Sequence, residues 1–486
     1  MDNFILKKKI INATKWSSIT ELAAKIISPI TYMILARILA PEAFGVVATI
    51  AMIISFAEMF TDAGFQKYLV QREFKDDIEK YKSANVAFWT NLGISILFLI
   101  GIIVFSDVIA DLVGNPGMGH VIIIASMQLP LSAFSSIQMA LYRRDFEFKI
   151  LFLVRMTTIF IPIIVTIPLA LFGFDYWSLI IGTICGSLAN VVILNIKSKW
   201  KPKWFYNLKI LKQMLSFSVW SLVEAIAIWL TTWIDAFIIG TVLNDYYLGL
   251  YKTSTTMVNS LLALITAATT PILFSALSRL QNDNSQFNKT FFNIQRCVAV
   301  LVFPLGIGIY LYDDVVVQIL FGGKWNEATK IVGIWALTSV ITIIFGHYCS
   351  EVYRAKGRPK LSLIVQLLHL IVLIPVCIIS VKYSFWSFIY ARSWIRMELI
   401  LVHLCMMKFI VGFPVGKMLS NVFPSLMAAS LMGALGYFLR QLNEGLIWNF
   451  VSILLCIIFY FGFLSLFPNI RRDAVGILRG LKSRIR

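Results

Sequence analysis

Residues 17–38 read SSITELAAKIISPITYMILARI. About 20 residues of helix, rising about 1.5 Å each, match a hydrocarbon core of about 30 Å, so this stretch is long and apolar enough to cross a bilayer. It nevertheless carries Glu21, Lys25 and Arg37. A charge at the centre of a membrane helix costs about 2.5–3.5 kcal/mol on the insertion scale, so these groups need a reason to be there. At about 100° per residue, Thr14, Ser17, Ser18, Glu21, Lys25, Ser28 and Tyr32 fall on one face. Arg37 lies on the opposite side, near the helix end, where a long side chain reaches the interface. The stretch therefore reads as a membrane span with one polar stripe that must face protein or water. Glu21 and Lys25 stand at i,i+4 and can pair.

The rest of the chain has the same character. Of its 486 residues 59% are apolar and 14% charged, and the mean hydropathy is +0.81. A soluble domain is nearer one quarter charged, so the bulk of this chain belongs in lipid. Hydrophobic windows of about 20 residues recur about 14 times. The first, and the twelfth at 385–407, are the least regular because they hold charges. The net charge is +18, which in a soluble protein would suggest nucleic acid. Its placement says otherwise. Lys7, Lys8, Lys9 and Lys15 precede the first span, and basic clusters follow the second, fourth, sixth and tenth. About 30 cations gather on one side and about four on the other, which predicts an even number of spans with both termini cytoplasmic. The basic runs are read as topology and contact with anionic lipid, with no nucleic-acid partner.

No cleavable signal peptide is visible. The six cysteines lie scattered through the spans without a CxxC pair and read as small core residues, so neither a metal site nor a cofactor is expected.

An internal repeat organises the spans. Trp16 and Ser17 align with Trp220 and Ser221, and without a gap Leu39 then meets Leu243 and Gly45 meets Gly249. FSDVIADLVG (105–114) resembles YDDVVVQILFG (312–322), and YRRDFEFK (142–149) matches YRAKGRPK (353–360). The expected layout is two pseudo-symmetric six-helix lobes in one orientation, residues 1–196 and 214–410. Residues 197–213 form a basic linker, 411–467 an extra helix pair and 468–486 a basic tail. The fold class is thus all-α and polytopic, with about 14 membrane helices.

Other spans repeat the polar stripe of the first. Glu224, Thr231 and Asp235 share a face in the seventh. Lys252, Thr256, Asn259, Thr266 and Thr270 do so in the eighth, and Arg392, Arg396 and His403 in the twelfth. These stripes point to a hydrated cavity between the lobes. A structural reading competes: a buried ion pair can lock helices together with no transport role. Lys25, Arg37, Lys252, Arg392 and Arg396 give the cavity a cationic surplus suited to an anion. Ser28, Tyr32, Thr256 and Asn259 suit sugar hydroxyls, and a soluble organic anion fits the same set. Glu21, Glu224 and Asp235 are candidates for binding a proton or sodium ion that couples to transport.

ARILAPEAFGVVA (36–48), followed by DAGFQKYLVQR (62–72), resembles the polysaccharide exporters of the multidrug/oligosaccharidyl-lipid/polysaccharide superfamily. The similarity covers the order of spans and the six-plus-six-plus-two layout. It implies a MATE-like fold in a bacterial inner membrane, with two lobes rocking about a central cavity. The implied cargo is a polyprenyl-diphosphate-linked oligosaccharide moved toward the outer leaflet for surface polysaccharide synthesis. Lys25, Lys252 and the arginines of the twelfth span would hold the diphosphate, and a polysaccharide polymerase and other assembly proteins would be partners. A lipid II flippase and a multidrug antiporter of the same superfamily are the nearest alternatives. An antiporter favours an acidic cavity, which this chain lacks. A membrane polymerase would need a larger extramembrane catalytic segment than gaps of about 13–17 residues supply, so an enzyme is not expected.

Overall fold

The computed structural model describes residues 3–62, 64–443, 445–468 and 470–471, and the described residues contain helices and no strand. Most of the basic tail lies outside them, as do the side chains of Lys7, Lys8, Lys9, Trp220 and Ser221.

Among the described residues thirteen helices are long and apolar enough to span a membrane. We label them α1 (Asn12–Ile38), α2 (Pro41–Thr61), α3 (Asp77–Val104), α4 (Gly119–Arg144), α5 (Phe148–Leu171), α6 (Asp175–Lys197) and α7 (Leu222–Val242). The series continues with α8 (Asp245–Arg279), α9 (Asn284–Leu311), α10 (Ala328–Ala355) and α11 (Lys360–Tyr383), and closes with α13 (Val415–Leu442) and α14 (Leu446–Leu464). The twelfth segment, α12, is less regular, in keeping with the charges in its window. It is two ten-residue helices, Phe385–Trp394 and Arg396–Cys405, followed by a π turn at Met406–Ile410. The break at Ile395 falls between the two arginines, where a continuous apolar helix is least favoured.

Local signals start the helices where they start. The Asp76 side chain accepts from the Glu79 backbone N–H at 2.7 Å, and the Glu79 carboxylate reaches back to the N–H of Lys75 at 3.0 Å. This reciprocal cap satisfies donors that the first turn of α3 would otherwise leave open. Asp283 caps α9 through the N–H groups of Ser285 and Gln286.

The chain divides into two compact units, residues 1–253 and 254–486, with the division inside α8. In the first unit α1 packs against α5, with the Trp16 and Phe152 rings 5.0 Å apart, while α2 packs against α3, α4, α6 and α7. At one end a core of Phe65, Tyr68, Leu69, Phe88, Ile137 and Trp200 closes the helices. Part of the expected linker belongs to that core. Trp204 stacks on Trp89 at 4.2 Å, and the Lys203 backbone N–H donates to Asn85 at 3.0 Å. In the second unit α9 packs against α10 and α13, and α13 against α14.

The starts of α2 and α8, both in the first unit, cross at very short range. A Cβ on Gly45 would stand 1.9 Å from the Asp245 carbonyl oxygen, and a Cβ on Gly249 would stand 1.8 Å from that of Pro41. These are the two glycines that the internal repeat aligns, and each meets the residue four positions before its counterpart. The island at 105–114 and 312–322 also takes one form in both copies, as short helices Ser106–Leu112 and Asp313–Leu320.

Candidate functional site

The residues that the sequence singled out do not form one cluster within either unit. Some of them fall in two sites, one in each unit, and those of α1 lie in neither.

The site in the second unit is built on Trp335 of α10, which is 3% exposed. The Arg396 guanidinium lies 3.6 Å from the indole ring centre and that of Arg392 lies 5.3 Å away. The indole N–H donates to Asn259 Oδ1 at 3.1 Å. Arg396 also donates to Ser339 Oγ at 2.6 Å. Arg392 and Arg396 stand four residues apart, so even with the break at Ile395 they project to the same side. Stacking on an indole face holds a guanidinium in place by cation–π attraction while leaving it charged. A histidine layer lies on neighbouring turns. His369 Nδ1 and Glu398 Oε2 are 2.7 Å apart, and the His403 ring stacks on Tyr353. His403 shares the helical side of the arginines, as the sequence indicated, but it is buried under Tyr353 instead of joining them.

The site in the first unit is a cavity of about 620 Å³ lined by α2, α3, α4, α6 and α7 together with Gly64 and the start of the short helix Phe65–Gln71. Its walls are rich in neutral hydrogen-bonding groups, among them Ser55, Asn91, Ser135, Ser136 and Asn190. The Trp229 indole N–H donates to Ser55 Oγ at 3.1 Å, and Asn91 donates to Ser136 Oγ at 2.6 Å. Lys67, which also lines it, pairs with Glu224 at 3.5 Å. Thr232 and Trp233 line it as well; the Lys252 ammonium donates to the Thr232 carbonyl at 2.9 Å and lies 4.0 Å from the Trp233 ring centre. Polar walls with two half-buried indoles can hydrogen-bond hydroxyls and stack against an apolar ring face.

The other candidates fall as follows. Lys25 and Ser28 are half-buried, and Glu21, Tyr32 and Arg37 are exposed. Among the described residues Glu21 and Lys25 form no ion pair with each other, so the i,i+4 pairing expected from the sequence is not made. The buried side of α1 is instead the one at Ala13, Ala24, Thr31, Leu35 and Ala36; Ile19, Leu22, Ile26 and Ile30 stand exposed, and Ser17, Lys25 and Ser28 of the polar stripe are half-buried. Thr256 is half-buried and Asn259 is exposed apart from its bond to Trp335. Glu224 and Asp235 share a helical face but not an environment. Glu224 is exposed, whereas Asp235 is 3% exposed and accepts from the Tyr251 hydroxyl at 2.6 Å. Among the described residues no group of three or more His, Cys, Asp or Glu side chains could hold a metal ion.

Reading stripes of charge along the sequence missed Trp335, Ser339, Lys67, Trp229 and Trp233. The spacing of Trp229 and Trp233, four residues apart and beside Thr231 and Thr232, was the signal available for the cavity wall.

Comparison with known proteins places this geometry in a family. The chain is 25% identical over 334 residues to the succinoglycan biosynthesis transport protein ExoT of Rhizobium meliloti, covering 69% of this chain and 67% of that one. It is 22% identical over 381 residues to the lipopolysaccharide biosynthesis protein WzxC of Escherichia coli, covering 77% and 76%. Its fold is shared with a solved structure of the lipid II flippase MurJ in an inward closed conformation. The TM-score there is 0.76 at 18% identity, over 94% of this chain and 99% of that one. The family model described as polysaccharide biosynthesis protein matches residues 34–330, more than half of the sequence. The chain belongs to the polysaccharide biosynthesis protein family.

Proposed function

We propose that this protein is a flippase. It carries a polyprenyl-diphosphate-linked oligosaccharide unit from the cytoplasmic to the outer leaflet of a bacterial inner membrane, for assembly into a surface polysaccharide. The observation that carries the reading is the convergence of Arg392 and Arg396 on Trp335, beside Asn259. Guanidinium forks match phosphate oxygens, and the exposed Asn259 amide suits a sugar hydroxyl. Moving such a headgroup through hydrocarbon unaided would strip water from two phosphates and many hydroxyls, a cost of many kcal/mol. A hydroxyl-lined cavity in the first unit and a cationic aromatic site in the second offer replacement partners for that water. The similarity to ExoT, a succinoglycan biosynthesis transport protein, supports saccharide cargo. Nothing in this transport requires a covalent step, so the protein is a carrier and not an enzyme.

In this reading the basic side of the protein and both termini face the cytoplasm, as the asymmetry of Lys and Arg requires. The two lobes rock to alternate access to Lys25, Arg37, Lys252 and the arginine pair. Glu21, Glu224 and Asp235 are the carboxylates available to couple a proton or sodium ion, and a polysaccharide polymerase would receive the flipped unit.

The test uses purified protein in liposomes with a fluorescent polyprenyl-diphosphate oligosaccharide, scored by accessibility to an external quencher. R392Q and R396Q should each slow transfer by about tenfold or more, in line with the loss of a charge-assisted hydrogen bond worth about 1.5–3 kcal/mol. Wild-type rates in both variants would overturn the assignment. Running the same vesicles with and without an imposed proton or sodium gradient separates coupled from passive transfer, and lipid II added as competitor tests the head group.

A further inference from the structure

A second polar cavity, of about 550 Å³, opens between the first turns of α9 and α13, well apart in sequence from both sites above. Its walls include Lys289, Arg296 and Lys417 with Ser285, Asn288 and Asn421, and none of its lining residues is acidic. We propose that this cavity holds the phosphate of an anionic phospholipid headgroup.

Three features support it. First, the guanidinium is held in position. Arg296 donates to Asn421 Oδ1 at 3.1 Å and to Asn293 Oδ1 at 3.2 Å. Asn421 is itself fixed by donating to the Phe292 carbonyl at 2.8 Å and to Gln295 Oε1 at 3.2 Å. Second, the cavity has the right depth. Leu419 and Phe423 stand exposed within the first turns of α13, and Leu301 lies exposed on α9 beyond Arg296. Polar and cationic groups thus give way to apolar surface over about two turns, as at the boundary between headgroups and acyl chains. Third, the first turn of α13 lines the same space at Pro414 and Lys417 without a side-chain cap and adds partial positive charge, whereas the first turn of α9 is already capped by Asp283. Both follow even-numbered spans, the side on which the basic loops gather. Basic pockets between membrane helices on that side are where anionic headgroups bind.

The experiment uses full-length protein in a neutral detergent. Retained lipid is counted by native mass spectrometry during titration with phosphatidylglycerol or phosphatidylcholine micelles, and with inorganic phosphate alone. Lys289 and Lys417 are exposed, so K289Q/K417Q should fold normally, checked by circular dichroism. K199Q/K201Q, on the basic segment after α6, makes the same charge change elsewhere. We expect one phosphatidylglycerol to bind wild type and K199Q/K201Q equally, and K289Q/K417Q about tenfold or more weaker, from about 1 kcal/mol per cation. Phosphatidylcholine should bind all three alike. Equal phosphatidylglycerol affinity in K289Q/K417Q and wild type would overturn the proposal. So would an equal loss in K199Q/K201Q, which would mean diffuse attraction. Binding of inorganic phosphate that depends on Lys289 and Lys417, without preference for phosphatidylglycerol, would overturn the lipid as occupant and leave a free-anion site.

Discussion

Asp235 and the arginine pair show how differently charges are handled inside the spans. Asp235 is buried and satisfied by Tyr251, so truncating it should leave a buried hydroxyl without its acceptor. D235A should lower the thermal midpoint in detergent by an amount corresponding to about 1–3 kcal/mol, while D235N, which keeps an acceptor oxygen, should cost clearly less. If Asp235 also binds the coupling ion, D235N will abolish gradient dependence while keeping the fold; a gradient response identical to wild type would restrict Asp235 to packing. Arg396 makes a different prediction. Its plane stacks on Trp335 and donates to Ser339, so R396K should keep the charge yet lose most of the transport rate, because an ammonium cannot reproduce a stacked fork. Transfer assays at matched protein levels would decide this, and full activity in R396K would mean that point charge alone suffices. The spacing of Arg392 and Arg396 was legible in the sequence, since two cations in an apolar window stand out. Trp335 was not, because a tryptophan inside IVGIWALTSV carries no mark that separates a site residue from a lipid-facing one.

At the scale of elements, hydrophobic length predicted nearly every span, because burial in lipid leaves few alternatives to a helix of about 20 residues. The interruption of α12 was harder to read, since the charges that weaken its apolar window do not say where it breaks. The cavity of the first unit escaped notice for a related reason. Its serines and asparagines are neutral and cost little in a membrane helix, so they leave no periodic charge signal. One element outside the spans carries a pH signature. Asp313 opens the short helix Asp313–Leu320, and burial pushes its carboxyl up to about 6. A carboxyl raised on folding binds more protons in the folded than in the unfolded state between about pH 4 and 6. Stability should therefore fall as pH rises through that window, by on the order of 1–2 kcal/mol once solvent screening is allowed for. Thermal unfolding between pH 4.5 and 7 should show the fall in wild type and a flatter profile in D313N. Parallel profiles would mean that other groups set the pH response.

On the scale of the whole molecule, the sequence aligned four short islands as a repeat, and the reciprocal placement of Gly45 and Gly249 gives one of those alignments a physical counterpart. Two helix starts approach so closely that neither position has room for a methyl group. G45A or G249A should force the starts of α2 and α8 apart and reduce the yield of folded protein several-fold, as measured by fluorescence-detected size exclusion. G93A should be harmless, because the space around Gly93 is open. Unchanged yield in G45A would mean that the crossing relaxes without penalty.

That crossing also constrains the order of events during synthesis. Gly249 is made about 200 residues after Gly45, so the start of α2 waits without its neighbour while five further spans enter the bilayer. Until the ribosome has passed residue 249, lipid or an insertion factor has to cover the groove at Gly45. A nascent chain arrested before that point would therefore be a natural substrate for membrane quality control.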